Sequence, residues 1–257
     1  MKISNWCKNL SAALVAGGLL VPSAVHAADV GVNLVVNGDF ENVDLAIVGE
    51  YNGPLVLGWT GPSLFAYSHN GSASSAGVVP DYAEGVDPPG AGNWYFTNNN
   101  TGGAAFTDVR DPGIYFQDID LSTGATAVAI ANGSATYDLS AYMSSYLNDA
   151  DYGNVQVEFR SILNAPLGTA LISDIGDAGP NNVWNLLSNS GSVPSGTTSV
   201  RVSLFGTHGG VGGGGADGYT DNVSFSVNGV PEPSSVLLAG LGLAGAGLMS
   251  RKRRLAD

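Results

Sequence analysis

The chain has 257 residues, of which 22 are acidic and 9 are basic, so its formal net charge at pH 7 is −13. Hydrophobic residues make up 44 % of the chain, which is enough to bury a core and excludes a protein that is disordered throughout. Residues 28–230 contain 20 acidic and 3 basic residues, a local net charge of −17 that repels phosphate backbones. We therefore exclude nucleic acid as a partner.

The first 27 residues have the order of parts that is typical of a secretory signal peptide. Lys2 and Lys8 precede the 12-residue apolar run from Leu10 to Val21, and a small-residue pattern ends at Ala27. A permanent membrane anchor needs about 20 apolar residues, so we expect the secretion machinery to export the chain and a peptidase to cut it after Ala27. Cleavage also removes Cys7, the only cysteine, and leaves an exported protein without disulfides or thiol chemistry.

The segment 230–257 has the pattern of a membrane anchor. An uncharged stretch, 236–250, lies between a proline motif and a basic tail, which are Pro231, Glu232 and Pro233 and then Arg251, Lys252, Arg253 and Arg254. The stretch predicts one transmembrane helix of about 22 Å at ~1.5 Å per residue, which snorkelling arginines extend toward the ~30 Å hydrocarbon core. The basic tail then stays in the cytoplasm, and everything before the helix lies outside. The alternative, a buried core helix, does not explain four consecutive basic residues.

These three parts, in this order at the C-terminus of an exported chain, resemble the PEP-CTERM sorting signal of Gram-negative bacteria that make exopolysaccharide. The resemblance implies recognition by exosortase, a membrane-embedded cysteine transpeptidase that removes the tail and releases or re-anchors the protein. It also implies an inner-membrane intermediate and a final place at the cell surface or in the extracellular matrix. The motif suits this step physically, because Pro231 and Pro233 keep the segment extended just outside the bilayer.

The segment 28–229 is long enough for one β-sandwich and shows no sustained helical period with caps. Alternation of apolar and polar residues is clear in 155–160 and 200–204, where the charged side chains are expected to face water. Short segments with β-type composition recur between turn residues, and the expected strands are 33–36, 55–59, 64–67, 94–96, 114–119, 125–131, 135–146, 154–163, 183–187, 199–205 and 219–227. The fold class is therefore all-β.

Both ends of this domain resemble galactose-binding-like jelly rolls, a group that includes many carbohydrate-binding modules. At the start the residues are 33–41, Asn-Leu-Val-Val-Asn-Gly-Asp-Phe-Glu, followed by Gly58 and Trp59. At the end they are 193–202 and the Asp-Asn-Val-Ser-Phe segment 221–225. The resemblance implies a jelly-roll β-sandwich between the signal peptide and the single C-terminal transmembrane helix.

The same resemblance implies a structural Ca²⁺ that ties the two ends of the domain together. Its ligands would be Glu41 and Asp221, with Asp39 as a weaker candidate, while Asn222 departs from the second Asp of many relatives. Independently, Ca²⁺ takes several hard oxygen ligands, which an acid-rich domain without lysine offers. The alternative interpretation makes Asp39 a turn residue and Asp221 a solvated strand residue.

Sugar recognition needs exposed aromatic rings together with amides and carboxylates. Trp94 and Tyr95, beside three asparagines at 98–100, are the best placed pair for a carbohydrate-binding platform. The alternative is that both rings pack in the core, as aromatic side chains of β-sandwiches usually do.

Catalysis has no recognisable motif in this chain. Only His69 and His208 remain after signal cleavage, and neither G-x-S-x-G nor H-E-x-x-H occurs. A glycosidase could use two of the carboxylates, but their pairing is not visible in a sequence. The sequence therefore predicts an exported, non-catalytic surface or matrix protein that binds exopolysaccharide. The alternatives are a structural or adhesion protein that binds no sugar and, third, a cryptic carbohydrate-active enzyme.

Overall fold

The computed structural model describes residues 30–48, 53–61, 66–75, 77–78, 81, 86–97, 114–145, 151–174, 183–207 and 218–229. They form one helix, α1 (Gly124–Ala131), and thirteen strands. The strands are β1 (Val43–Val48), β2 (Pro54–Val56), β3 (Ala66–Ser68), β4 (Ala73–Ser74), β5 (Gly77–Val78), β6 (Trp94–Thr97), β7 (Tyr115–Asp120), β8 (Ala135–Ser145), β9 (Tyr152–Arg160), β10 (Pro166–Ser173), β11 (Asn185–Ser192), β12 (Ser199–Thr207) and β13 (Gly218–Gly229).

Two antiparallel sheets make up most of the fold. One has four strands in the order β10-β9-β12-β7, and the other has five strands in the order β11-β8-β13-β6-β3. The pairs β1-β2 and β4-β5 form two small additional sheets. This arrangement confirms the predicted all-β class.

The core lies between the two large sheets because their strands alternate apolar and polar residues. Val155, Val157 and Phe159 of β9 are buried, whereas the intervening side chains are partly exposed. On the opposite sheet Leu139 of β8 and Phe225 of β13 are fully buried and paired in register. The alternation predicted for β9 and β12 is therefore confirmed.

Residues 125–131 form helix α1 rather than the predicted strand. Four of the eight residues are alanine, the strongest helix former, and this preference outweighs the single Val and Ile that suggested a strand. The helix ends at Asn132, and Gly133 follows with φ +69°, a left-handed conformation that glycine adopts without strain. Ala129 and Ile130 bury one side of the helix.

The N-terminal segment 30–40 is tied to the last strand. The amides of Gly31 and Leu34 donate to the carbonyls of Val227 and Phe225 at 2.9 and 2.8 Å, and the amide of Val223 donates to the carbonyl of Gly38 at 2.8 Å. The opening and closing segments that carry the family resemblance are thus hydrogen-bonded to each other.

Several predicted segments lie outside the described residues: the signal peptide 1–27, the motif Pro231, Glu232 and Pro233, the apolar stretch 236–250, and the tail Arg251, Lys252, Arg253 and Arg254. Within the described ranges, no helix has the length and apolar character needed to cross a bilayer.

Candidate functional site

The outer face of the five-stranded sheet carries a cluster of buried rings where β3, β6 and the start of β13 meet. Tyr67 of β3 is paired with Tyr95 of β6, and the centroid of the Tyr95 ring lies 5.3 Å from that of Tyr219 in β13. The rings of His69 and Trp184 complete the cluster, with centroids 4.7 and 5.4 Å from Tyr95. We call these five residues the aromatic cluster.

The register shows that the aromatic cluster lies outside the sandwich core. Phe96, the next residue of β6, lies on the inner face, because its ring is 5.3 Å from that of Tyr115 in the four-stranded sheet. Successive residues of a strand point to opposite faces, so Tyr95 points outward. The fold therefore holds a second group of packed rings on the outer side of one sheet.

His69 links the aromatic cluster to two carboxylates. Its Nε2 lies 3.2 Å from Oδ2 of Asp221, and its Nδ1 lies 3.0 Å from Oδ1 of Asp87. The side chains of His69 and Asp221 are fully buried, whereas that of Asp87 is 44 % exposed. Asp221 also accepts a hydrogen bond from the backbone amide of Asn222 at 2.7 Å.

The pKa values of both His69 and Asp221 are raised, for different reasons. Burial lowers the pKa of His69, but the hydrogen bonds and negative charges of Asp221 and Asp87 outweigh it, so the net shift is upward. Burial raises the pKa of Asp221 to about 6, although the hydrogen bond and charge of His69 oppose that shift. When the ring is protonated it can donate to both carboxylates at once, and it is the one buried basic group that faces Asp221 among the described residues.

Glu41 lies near this group but is held by other partners. Its Oε1 accepts the backbone amides of Asn93 and Trp94 at 2.7 and 2.8 Å, and its Oε2 accepts the side-chain amide of Asn93 at 3.2 Å. The charge of Glu41 contributes to the raised pKa of Asp221, so the two carboxylates are within electrostatic range. Glu41 thereby fastens the end of the opening segment to the start of β6.

The three predicted calcium ligands do not form one cluster of carboxylates. Asp39 is exposed, whereas Asp221 is fully buried, so the alternative reading of Asp221 as a solvated residue is wrong. The oxygens of Glu41 and Asp221 already accept N–H groups, and the described residues contain no group of three or more His, Cys, Asp or Glu that could hold a metal ion. No functional step is therefore derived through calcium, which stays a prediction.

Asn222 has a conformational role in β13. It adopts φ +52°, a left-handed conformation that asparagine tolerates better than most residues. The register of β13 shifts between Asp221 and Ser224, and within this bulge the amide of Val223 donates to the carbonyl of Gly38. The bulge moves β13 from β6 to the opening segment.

The predicted platform of exposed rings at Trp94 and Tyr95 is absent, which corrects the expectation from the sequence. Trp94 is 5 % exposed and Tyr95 is 0 % exposed. The cause is the position of β6, which lies between β13 and β3 and is buried along its whole length. Tyr95 belongs to the aromatic cluster and donates its hydroxyl to Asp81 at 3.4 Å.

The sequence analysis missed the pairing of His69 with Asp87 and Asp221. These residues are 18 and 152 positions from His69, so no local spacing points to the pairing. Two further polar atoms of this region, the Trp184 Nε1 and the Ser144 Oγ, are buried without a hydrogen-bond partner, as far as the described part of the chain shows. No sequence motif marks them either.

The comparison with protein families identifies the C-terminal segment. Residues 229–254 match the PEP-CTERM protein-sorting motif. No curated protein matches the sequence.

The similar solved structures include carbohydrate-binding modules. A CBM4 module is 16 % identical over 76 % of this chain and 99 % of its own, with a TM-score of 0.36. The CBM22-1 xylan-binding domain of Paenibacillus barcinonensis Xyn10C is 13 % identical over 79 % of this chain and 97 % of its own, with a TM-score of 0.35. The enzymatically active domain of tailspike protein 4 of bacteriophage CBA120 is 12 % identical over 76 % of this chain, with a TM-score of 0.41, and this chain spans 21 % of its length. At these identities the likeness concerns the fold alone.

Proposed function

We propose that the protein is exported, processed by exosortase at its C-terminal signal, and displayed as a non-catalytic polysaccharide-binding protein at the cell surface or in the extracellular matrix. The observation that carries the proposal is the sorting motif at residues 229–254. Strand β13 ends at Gly229, so the motif begins at the last residue of the last described strand. A cut near Pro231 would leave every described strand intact.

The order of events follows from the two ends of the sequence. The secretion machinery takes the signal peptide, and the stretch 236–250 stops in the inner membrane with the basic tail on the cytoplasmic side. The domain then folds outside. Its opening segment is hydrogen-bonded to β13, which precedes the segment that exosortase would remove.

The contacts of His69 argue against a catalytic role for this buried histidine. Both ring nitrogens of His69 lie within hydrogen-bond distance of carboxylates, which leaves no nitrogen to act as a base on a substrate. The structural or adhesion alternative shares the sorting route and differs only in binding no sugar. The enzyme alternative predicts release of sugar from the polysaccharide.

Mass spectrometry of the protein from cells with and without exosortase tests the sorting step. We expect an N-terminus at residue 28 in both strains and loss of the segment after the Pro231–Pro233 motif only where exosortase is present. An intact C-terminus in both strains would show that the motif is not processed.

Polysaccharide binding is tested separately with the full chain in mild detergent. We expect it to co-sediment with the exopolysaccharide of its own host and to release no reducing sugar. Absence of binding to any fraction of that matrix favours the structural alternative, and sugar release favours the enzyme.

A further inference from the structure

An open cavity of about 470 Å³ lies on the outer face of the four-stranded sheet, on the other side of the sandwich from the aromatic cluster. Strands β7, β9 and β12 line it with Asp118, Asp120, Arg160, Ser199 and Arg201, and Asn164 contributes from the turn after β9. Its volume falls within the ~300–1,000 Å³ of small-ligand sites. We propose that this cavity is the polysaccharide site and that its ligand is an uncharged glycan chain. This inference rests on the proposed function.

The register of the four-stranded sheet brings the charged side chains of the cavity together. Arg201 of β12 lies directly opposite Asp118 of β7 on one side and opposite Glu158 of β9 on the other. Paired residues of neighbouring strands point to the same face, so the three charged groups stand side by side on the outer surface. Arg160, two residues after Glu158, extends this row toward the turn that follows β9.

The two arginines are held rigidly. Arg201 donates from Nε and Nη2 to the two oxygens of Asp118 at 2.8 and 2.7 Å, and its guanidinium lies 3.7 Å from the centroid of the Phe116 ring. Arg160 donates to Glu158 and, at 3.5 Å, to Asp118. Their side chains are 28 % and 17 % exposed, so each is fixed by neighbours and still reaches solvent.

The described lining offers no aromatic ring for the face of a pyranose, so recognition here would rest on polar groups that match the hydroxyls of a sugar. A guanidinium has five N–H donors, and Arg201 uses two of them on Asp118. Asp118 stays ionised, because the hydrogen bond and charge of Arg201 hold its pKa below the ordinary value. Neighbouring sugar hydroxyls can therefore accept from the arginine and donate to the aspartate without either side chain having to reorganise.

Charge decides between an uncharged and an acidic glycan. The lining contains two arginines and two aspartates, and Glu158 adds one more negative charge beside it. The guanidiniums are thus neutralised by their own partners, and the surrounding segment 28–230 carries −17. A polyuronate chain would be repelled at long range and would gain no unpaired cation on arrival. An uncharged chain meets neither penalty.

The test measures binding of the full chain, in mild detergent, to hexasaccharides of β-1,4-glucan, β-1,4-mannan and β-1,4-xylan, with hexagalacturonate as the acidic probe. We expect at least one uncharged hexasaccharide to bind. Arg201→Ala and Arg201→Lys should each weaken that binding at least tenfold, because lysine keeps the charge but not the two-pronged geometry. The control is Asp138→Asn on the outer face of the five-stranded sheet, which should bind as the original protein does.

Each outcome separates the site from the function. If the original protein binds the host matrix and both Arg201→Ala and Arg201→Lys bind it equally well, the cavity is not the site, but the proposed function stands. If the original protein binds neither the host matrix nor any hexasaccharide, both the site and the proposed function are wrong. Binding of hexagalacturonate alone overturns the ligand class. Melting temperatures of the variants show whether the fold is intact, and if Arg201→Ala unfolds, protection of Arg201 from an arginine-modifying dicarbonyl by the bound hexasaccharide decides in its place.

Discussion

His69 contacts two carboxylates that are far apart in the sequence, and its fully buried ring lies between them. The sequence singles it out only as one of two histidines that survive signal cleavage. Its partners follow from the fold, because Asp221 sits in the last strand and Asp87 lies before β6. Trp94 and Tyr95 show the same limit of prediction from sequence. Their aromatic side chains suggested a carbohydrate-binding platform, but the position of β6 in the sheet buries them.

The raised pKa values of His69 and Asp221 predict a pH dependence of stability. Both groups bind protons more tightly in the folded than in the unfolded protein, so their stabilisation is complete below the unfolded values of 3.8 and 6.5. It is lost as pH rises through about 6 for Asp221 and through the raised value of His69. In buffer with EDTA we expect the free energy of unfolding to fall by about 1 kcal/mol or more from pH 5 to pH 8, since one pKa unit is about 1.4 kcal/mol. Chemical denaturation at each pH measures it.

The control for this pH dependence is Asp221→Asn, which removes the carboxyl that titrates near 6 and the contacts that most raise the pKa of His69, so it should flatten the slope between pH 5 and pH 8. Asp118 does not interfere, because its lowered pKa places its titration below this window. If the variant does not fold, an NMR titration of the His69 ring in the original protein replaces it. A ring that titrates below 6.5, or equal slopes in both proteins, would contradict the prediction.

Strands with a strong alternating pattern were predictable from the sequence. Elements that form only through contacts with neighbouring strands were not. The pattern of β9 and β12 gives both their existence and their inner faces. Strand β10 was missed because Pro-Leu-Gly-Thr-Ala has little β preference, and it forms as an edge strand against β9. The segment 33–36 was expected to be a strand, but it contacts β13 through scattered backbone and side-chain hydrogen bonds instead.

Asn33 is the side chain that fixes this opening segment to β13. Its Oδ1 accepts the amides of Val35 and Phe225, both at 3.0 Å, and its Nδ2 donates to the carbonyl of Val223 at 3.3 Å. Asn33→Ala should lower the free energy of unfolding by about 1–3 kcal/mol, because it leaves a strand amide without its acceptor. Urea denaturation of the original and variant proteins measures the difference.

The matched control for Asn33→Ala is Asn132→Ala. Asn132 is an exposed asparagine after α1, and its side chain makes no hydrogen bond to any described residue. This control should change stability by less than about 0.5 kcal/mol. Equal losses in the two variants would show that the side chain of Asn33 does not hold the segment.

At the scale of the whole molecule, the charge of −13 separates into parts with different roles. The two basic ends are predicted to set the topology of the chain in the membrane, and the segment between them carries −17. A prediction of this kind needs only the sequence, because targeting segments are local patterns. It could not locate a binding face, because that depends on which side chains the register of two sheets brings together, as Arg201 shows between Asp118 and Glu158.

The last prediction for the whole molecule is that bound Ca²⁺ stabilises the fold, with Glu41 and Asp221 as its ligands. If Ca²⁺ binds between the opening segment and β13, it stabilises only the folded state, and about 2.7 kcal/mol follows at a concentration 100 times its Kd. For a domain of roughly 200 residues this raises the melting temperature by about 5–10 °C, and EDTA should reverse the rise. Asp221→Asn should abolish the calcium effect, whereas Asp138→Asn, on the exposed outer face of the same sheet, should preserve it. A melting temperature that neither Ca²⁺ nor EDTA changes would contradict the prediction and leave His69 as the group that neutralises Asp221.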